Sequence, residues 1–290
     1  MTHPDKGENT AGMPFINVGQ ENSGSIELYY EDHGSGKIPV VLIHGWPLSG
    51  RSWEKQVPAL LDAGYRVITY DRRGFGDSSK PTSGYDYDTM AEDLHKLVTK
   101  LDLHDAALVG FSMGGGEVAR YLGRYGSERI GKAAFLAAIP PFLLKTPDNP
   151  SGVEGSAFEG IKAGIAADRL AFLAAFFSNF YNVDVYVGGK GISEQAVQFS
   201  LNIAAGASPK GTLDCVSAWL TDFRKDLERI DIPTLVIHGD ADRIVPIEAS
   251  GKRTHQLVKG SRFLQIKNGP HGLNWTHADQ VNRELLDFLR

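Results

Sequence analysis

A serine stands between two glycines at residues 110–114, which read GFSMG. The four residues before this segment are apolar, as in a buried parallel strand, and a stretch compatible with a helix follows from Glu117. A G-x-S-x-G sequence between a strand and a helix is typical of a nucleophile elbow, in which the serine hydroxyl projects above a sheet. The pattern therefore predicts that Ser112 is a nucleophile in acyl-transfer chemistry.

A serine hydroxyl needs a base to remove its proton, and the base needs an acid that holds it in the correct tautomer. In enzymes with a nucleophile elbow, these groups follow one another in the order serine, aspartate or glutamate, histidine. Asp242 and His271 satisfy this order, and each comes just after a predicted strand. The sequence therefore predicts a catalytic triad of Ser112, Asp242 and His271.

The acid and the base each have a rival nearby. Asp240 follows a glycine two residues before Asp242, and an aspartate in such a position often only shapes a turn. His271 lies in the loop NGPHG, which glycine and proline stiffen, whereas His277 is predicted to begin the final helix. We expect Asp242 and His271 to be the acid and the base, with Asp240 and His277 as the alternatives.

Acyl transfer also requires two backbone N–H donors for the negative charge that develops on the carbonyl oxygen. The amide of Met113 lies at a helix N-terminus, where it has no partner within the helix. The second donor is expected from the loop after the third strand, where Trp46 follows a His-Gly pair. At the same ends of the strands, we expect the side chains of Trp46, Phe111, Ile139 and Ile244 to line the substrate pocket.

The elements that position these residues follow from the pattern of apolar residues along the chain. Two segments of alternating polarity begin the chain, and buried apolar strands then alternate with segments of helical spacing. This pattern predicts an α/β fold: a mainly parallel eight-stranded sheet with helices on both faces, whose ligand site lies beyond the carboxyl ends of the strands. The predicted strands cover residues 15–18, 26–31, 39–43, 65–70, 106–109, 130–139, 234–238 and 263–267.

The alternation of strands and helices breaks between residues 140 and 225. This segment contains several prolines, a glycine-rich piece and aromatic helical stretches, and it is too long to be a loop. We expect residues 140–225 to form a helical cap on a core made of residues 13–139 and 226–290. Residues 1–12 are polar and are expected to form a flexible extension.

Composition limits the expected partners and cofactors. The 290 residues are 42% apolar and 22% charged with a net charge of −5, which is typical of a soluble globular protein and does not favour nucleic acid or an anionic membrane as a partner. No apolar stretch approaches the roughly 20 residues of a membrane helix, and the first dozen residues lack the apolar centre of a signal peptide. Cys215 is the only cysteine, and histidines and carboxylates do not cluster at ligand spacing. We therefore expect a cytoplasmic protein with no disulfide, no metal and no cofactor.

Five motifs together resemble the cofactor-free haloperoxidase, perhydrolase and aryl esterase branch of the α/β-hydrolase superfamily. They are HGWP at 44–47, YDRRGFG at 70–76, GFSMGGG at 110–116, HGDAD at 238–242 and PHG at 270–272. The resemblance extends over nearly the whole chain from residue 13 onward, including the cap. It implies an α/β-hydrolase fold, the triad given above, and an oxyanion hole formed by the amides of Trp46 and Met113.

The resemblance also implies an activity. Members of this branch hydrolyse small carboxylic esters through an acyl-enzyme, and some accept hydrogen peroxide in place of water and release a peracid. Hydrogen peroxide is therefore an expected co-substrate beside the ester, and a homo-oligomer is expected because members often form trimers or multiples of trimers. Hydrolysis of an amide or a γ-lactam by the same triad is the alternative activity, since the close relatives include a bicyclic γ-lactamase. A ligand-binding protein without catalytic activity is the alternative from another class, and the complete triad argues against it.

Overall fold

A computed structural model of the protein describes residues 14–36, 38–189 and 191–290. The predicted flexible extension, residues 1–12, lies outside these ranges. The described strands are β1 (Phe15–Glu21), β2 (Gly24–His33), β3 (Pro39–Ile43), β4 (Arg66–Tyr70), β5 (Ala106–Phe111), β6 (Ile130–Leu136), β7 (Thr234–Gly239) and β8 (Arg262–Ile266).

The strands form one sheet in the order β1-β2-β4-β3-β5-β6-β7-β8. The first strand pairs with β2 in antiparallel fashion, and β2 pairs in the same way with β4. All pairs from β4 across to β8 are parallel. The expected α/β-hydrolase fold with a mainly parallel eight-stranded sheet is therefore confirmed.

Helices follow most of the parallel strands. A 3₁₀ helix (Gly50–Trp53) and α1 (Gln56–Asp62) follow β3, α2 (Tyr87–Lys100) follows β4, and α3 (Met113–Tyr125) follows β5. At the other end of the chain are α10 (Gly251–Leu257), α11 (Leu273–Thr276) and α12 (Ala278–Leu289). Between β6 and β7 lie α4 (Gly155–Ala167), α5 (Arg169–Phe180), α6 (Val183–Tyr186), α7 (Glu194–Ala205), α8 (Pro209–Ala218) and α9 (Arg224–Leu227).

The central strands owe their place to continuous apolar sequence. Every residue of β3, β5 and β7 is buried, as expected for parallel strands that are covered by helices on both faces. The helix α2 places Met90, Leu94, Leu97 and Val98 on its buried face, and its first turn is capped by the side chain of Asp86. These elements carry the carboxyl ends of β3, β5 and β7 to one edge of the sheet.

The strand predicted at 130–139 ends earlier, at Leu136. Ala137 has a φ of +43°, which turns the chain out of the direction of the strand, although its amide still donates to the carbonyl of Ile237 at 2.8 Å. After this turn the amide of Ile139 donates to the carbonyl of Ser112 at 3.3 Å. The early end of β6 therefore brings Ile139 to the elbow, because a longer strand would carry it past the sheet.

The helices between β6 and β7 pack on one another as well as on the core. The α4 helix contacts α5 and α8, and α5 contacts α7, while α9 packs on α3. The apolar side chains of Leu173, Phe177 and Phe180 in α5 are buried. Across the described ranges, the helices fall short of the length and apolar content that a bilayer span requires.

Candidate active site

Ser112 occupies the sharp turn between β5 and α3. Its backbone has φ +53° and ψ −119°, a conformation that residues other than glycine rarely adopt. The two glycines of the motif allow this turn: a Cβ on Gly114 would lie 2.3 Å from the carbonyl oxygen of Ile43, and one on Gly110 would lie 2.6 Å from that of Gly114. The elbow predicted from the sequence is therefore present, with the strained residue at its apex.

His271 connects Ser112 with Asp242. The Nε2 atom of His271 lies 2.9 Å from the Oγ of Ser112, and its Nδ1 atom lies 2.7 Å from Oδ2 of Asp242. The side chains of His271 and Asp242 are fully buried. Because a carboxylate can only accept, Nδ1 carries the proton toward Asp242 and leaves Nε2 free to accept the serine proton. This is the arrangement that activates a serine hydroxyl.

Asp242 is held by its own loop. Its Oδ1 atom accepts hydrogen bonds from the amides of Ile244 and Val245, each at 2.8 Å. Burial raises the pKa of Asp242, but the positive charge of a protonated His271 and the hydrogen bonds from His238 and His271 outweigh burial and hold this pKa well below its ordinary value. Asp242 therefore stays ionised as a partner for an imidazolium.

The two rivals lie elsewhere. Asp240 is exposed, where its carboxylate accepts from the amide of Asn268 at 2.6 Å and from the side chain of Gln265 at 3.1 Å. His277 precedes α12, and its Nδ1 lies 2.9 Å from the hydroxyl of Thr276. The structure thus brings Asp242 and His271 together with Ser112, and it gives Asp240 and His277 other partners.

Two aromatic rings enclose the imidazole of His271. Phe111 lies 5.2 Å from it and Phe180 lies 4.9 Å from it, measured between ring centroids. Phe111 also packs on Trp53. We expected Phe111 to line the substrate pocket; its ring packs on His271, Phe180 and Trp53, and it is not among the described residues that line the cavity beside Ser112.

The two expected oxyanion donors are free. In the described part of the chain, neither the amide of Trp46 nor that of Met113 donates to another protein group. Both side chains are held by residues of the segment between β6 and β7, called the insertion below. The indole of Trp46 donates to the carbonyl of Thr212 at 3.1 Å, and the indole of Trp219 donates to the sulfur of Met113 at 3.4 Å. The amides are therefore available for an anion beside Ser112.

A buried ion pair joins the loop of Trp46 to the helix that begins at Met113. The guanidinium of Arg72 donates to Glu117 of α3 and, at 2.6 Å, to the carbonyl of His44. The side chains of Arg72 and Glu117 are each 1% exposed. Sequence analysis missed this pair, although the arginine lies in the YDRRGFG motif, because nothing along the chain connects it with a glutamate 45 residues away.

An apolar cavity of about 270 Å³ opens beside Ser112. Of the expected pocket residues, Trp46, Ile139 and Ile244 line it. The other wall comes from the insertion, whose contribution sequence analysis did not assign residue by residue; the aromatic pattern of the segment was the available signal. These residues include Leu143, Phe158, Ile161, Phe172, Phe176 and Trp219.

A metal site needs several ligating side chains close together. Among residues 14–36, 38–189 and 191–290, no three histidine, cysteine, aspartate or glutamate side chains lie close enough together to hold a metal ion. The Nε2 atom of His44, in the HGWP motif, accepts a hydrogen bond from the amide of Arg72 at 2.9 Å. Burial and the charge of Arg72 hold the pKa of His44 well below its ordinary value.

Comparison with known proteins agrees with this geometry. The profile of the α/β hydrolase fold family matches residues 38–278. A Synechocystis sp. protein, provisionally named a non-heme chloroperoxidase, is 64% identical over 96% of this chain and 100% of its own length. The bifunctional esterase/perhydrolase of Acinetobacter calcoaceticus is 35% identical over 91% of this chain and 96% of its own. Among solved structures, the bromoperoxidase from Bacillus anthracis is 56% identical with a TM-score of 0.90, covering 95% of this chain and 98% of that one.

The chain therefore belongs to the α/β-hydrolase fold family. Within the family it lies in the branch of the non-heme haloperoxidases and the esterase/perhydrolases, as its five motifs predict.

Proposed function

We propose that this protein is a serine hydrolase of small carboxylic esters that also forms peracids when hydrogen peroxide is present. The observation that carries the proposal is the line of contacts from Asp242 through His271 to Ser112, at 2.7 and 2.9 Å, beside an apolar cavity. The names of the related chloroperoxidase and esterase/perhydrolase support the two activities.

In the first half of the reaction, the Oγ of Ser112 attacks the ester carbonyl carbon while Nε2 of His271 takes its proton. The carbonyl oxygen becomes an oxyanion, and the free amides of Trp46 and Met113 are proposed to donate to it. Asp242 stabilises the imidazolium that forms. The intermediate then collapses, His271 gives its proton to the alkoxide, the alcohol leaves, and the acyl group stays on Ser112.

In the second half, water or hydrogen peroxide attacks the acyl-enzyme. His271 removes one proton from the attacking molecule and later returns it to the Oγ of Ser112, so the enzyme is restored. Water gives the carboxylic acid, and hydrogen peroxide gives the peracid with its O–O bond intact. In solution, a peracid oxidises a halide ion to hypohalous acid and is itself reduced to the carboxylic acid. This step needs no metal and no haem, and it accounts for a haloperoxidase activity.

The cavity favours a compact, uncharged acyl group. Its walls are mainly aromatic and aliphatic side chains, such as Phe158, Phe172 and Ile244, and apolar surface retains an ester better than a free carboxylate. We propose that residues 140–225 act as the cap that supplies the outer wall, on a core of residues 13–139 and 226–290. The choice between short alkyl and aryl groups then depends on the side chains of the cap.

The alternative, cleavage of an amide or γ-lactam by the same triad, is not favoured by the relatives. Their names describe chloroperoxidase and esterase/perhydrolase activities.

We also propose that the protein is a homo-oligomer and that it is located in the cytoplasm. The first proposal rests on the resemblance to the branch, and the second on the cysteine usage of the chain. Size-exclusion chromatography with light scattering tests the assembly.

The proposed function is tested with p-nitrophenyl esters of increasing acyl length, each assayed with and without hydrogen peroxide. We expect Ser112-dependent ester hydrolysis, and peracid that is detected by its oxidation of bromide. The Ser112→Ala variant should fold normally and lose activity on the order of 10⁴-fold or more. A fluorophosphonate should label the wild type and not this variant. Ester hydrolysis that survives in Ser112→Ala within about tenfold would contradict the assignment.

A further inference from the structure

A second histidine contacts the triad aspartate. His238 lies in β7 and is fully buried. Its Nε2 atom is 3.1 Å from Oδ2 of Asp242, the same oxygen that accepts from His271 at 2.7 Å. The same Nε2 atom lies 3.0 Å from the carbonyl oxygen of Val245, toward which its N–H is better aligned. The Nε2 atom of His238 therefore faces two acceptors, Asp242 and Val245, and both lie in the loop that follows β7.

The surroundings of His238 determine where its proton lies. A carbonyl oxygen and a carboxylate oxygen can only accept, so Nε2 must be the protonated nitrogen. The Nδ1 atom is buried without a hydrogen-bond partner among the described residues. The backbone of Gly251 packs against this side of the ring, because a Cβ added there would lie 2.6 Å from Nδ1. A second proton on Nδ1 would be a buried donor with no acceptor, so the ring carries a single proton, on Nε2.

Other charged groups around this site are directed away from it. In the described chain, Asp242 is the charged side chain within 4 Å of the His238 imidazole, and His271 is bonded to the same oxygen of Asp242. The neighbouring charges are paired at the surface: Asp240 with Gln265 and Asn268, Arg243 with Asp184, and Lys252 with Glu248. His238 is therefore placed, beside the base, to act on the same oxygen of Asp242.

We propose that His238 is a positioning residue for the catalytic acid, and that its Nε2–H, shared between Val245 and Asp242, sets the pH at which the base becomes active. This inference rests on the proposed function. The carboxylate of Asp242 stabilises a proton on His271, and a second N–H at the same oxygen takes up part of its negative charge. The imidazolium of His271 is then stabilised less, so the base is free to act at a lower pH than with Asp242 alone.

The test compares two substitutions at position 238. His238→Phe keeps a ring and removes the donor, whereas His238→Gln keeps an amide N–H in the place of Nε2 and does not titrate. In wild type and both variants, kcat/KM for p-nitrophenyl acetate is measured across the pH range in which imidazole titrates. The acid limb of the profile is the pH range in which kcat/KM rises as the base loses its proton. We expect it to move to higher pH by about 0.5–1 pH unit in His238→Phe and to return toward the wild-type position in His238→Gln.

The outcome that would overturn the proposal is an acid limb that stays in place in His238→Phe, or that moves equally in both variants. A merely structural role predicts a lower melting temperature and a lower kcat with the limb unchanged. Where His238→Phe does not fold, His238→Leu replaces it, since leucine also lacks the donor. The pH dependence of fluorophosphonate labelling of Ser112 reports the same base in a variant too slow for the ester assay.

A measurement on the wild type tests the proposal without any substitution. In protein with ¹⁵N-labelled histidine, NMR should find His238 with its proton on Nε2 and an unprotonated Nδ1. A proton on Nδ1, or rapid exchange between the two nitrogens, would contradict the inferred hydrogen bond. This result does not depend on ester hydrolysis, so a failure of the proposed function, seen as full activity in Ser112→Ala, is distinguishable from a failure at His238.

Discussion

The backbone carbonyl of Phe180, at the end of α5, accepts a hydrogen bond from the amide of Gly272 at 2.7 Å. Because Gly272 follows His271 directly, the insertion is bonded to the loop that carries the base. Two residues beyond Phe180, the side chain of Asn182 donates to the carbonyl of Ala241 at 3.0 Å, in the loop of the acid. The same short piece of the insertion therefore contacts both loops of the triad, and Asn179, just before it, lines the cavity.

We expect the ring of Phe180 to matter for turnover and not only for stability. It is 1% exposed and meets the imidazole of His271 edge to face. Phe180→Leu should lower the free energy of unfolding by about 1–2 kcal/mol. It should also lower kcat by about threefold to tenfold, because the imidazole loses a wall that fixes its orientation.

Phe177→Leu is the matched control for this substitution. Phe177 lies one turn earlier on α5 and is equally buried, but its ring packs on Phe180 and Tyr181. It should lose similar stability, measured by thermal unfolding, and keep most of its kcat. Equal losses of kcat in both variants would mean that the aromatic cluster acts only through stability.

The two aspartates after β7 should differ sharply in their effect on activity. Asp242→Asn removes the charge that stabilises the imidazolium of His271 and can hold the imidazole in the wrong tautomer, so kcat should fall on the order of 10⁴-fold. Asp240→Asn changes an exposed carboxylate whose partners are Asn268 and Gln265, so kcat should stay within about twofold of the wild type. Steady-state kinetics on one ester decides between them, and the reverse result would assign the acid to Asp240.

Asp242 should also give the protein a pH-dependent stability. Burial raises its pKa, but the charge of His271 and the hydrogen bonds of both histidines lower it by more, so the folded value lies well below the unfolded value of about 4. A group with a depressed folded pKa stabilises the fold fully above the unfolded pKa, and the contribution is lost as the pH falls toward the folded pKa. The difference in free energy of unfolding between wild type and Asp242→Asn should therefore be greatest near neutral pH and shrink on acidification. Urea titrations at a series of pH values measure this difference in free energy of unfolding, with Asp240→Asn as the exposed control. A difference between wild type and Asp242→Asn that grows as the pH falls would contradict a depressed pKa for Asp242.

The adjacent arginines of the YDRRGFG motif offer a test of the oxyanion hole. Arg72 bonds the carbonyl of His44 and Glu117, between the loop of Trp46 and α3, whereas Arg73 forms its ion pair with Asp93 of α2. Lysine keeps the charge but cannot reproduce the forked donors of a guanidinium. Arg72→Lys should lower kcat by about tenfold or more, because the amides of Trp46 and Met113, which are proposed to bind the oxyanion, lose their common support.

Arg73→Lys is the control for this prediction, since its side chain is nearly as buried and its partner Asp93 belongs to α2, not to the loop of Trp46 or to α3. It should lower the melting temperature and leave kcat nearly unchanged. A kcat that falls equally in both variants, in step with the melting temperature, would show that Arg72 contributes only to stability.

Local chemistry made the elbow at Ser112 predictable from the sequence. The elbow needs glycines two residues before and two residues after Ser112, since a Cβ at either position would strike backbone atoms, and this requirement appears in the sequence as a short motif. The strands β3, β5 and β7 are buried on both faces, so they appear as continuous apolar runs. Parallel strands end at a common edge, and the residues after them could therefore be assigned to one site.

Direction and distance between remote residues were decided only by the tertiary structure. Asp240 and Asp242 both follow β7, and the choice between them depends on how the loop bends when Oδ1 of Asp242 accepts the amides of Ile244 and Val245. Phe111 precedes Ser112 by one residue, yet its ring packs on His271 and Phe180 and is not among the described residues that line the cavity.

His238 and Arg72 carry no local sign of their partners. The first appears in the sequence as part of a buried strand, and the second lies 45 residues from Glu117. A pattern along the chain records which residues are buried and with what period, because these follow from the local geometry of strands and helices. It does not record which buried polar atoms meet, since that depends on how separate elements pack, and here this packing places His271 beside a serine 159 residues away.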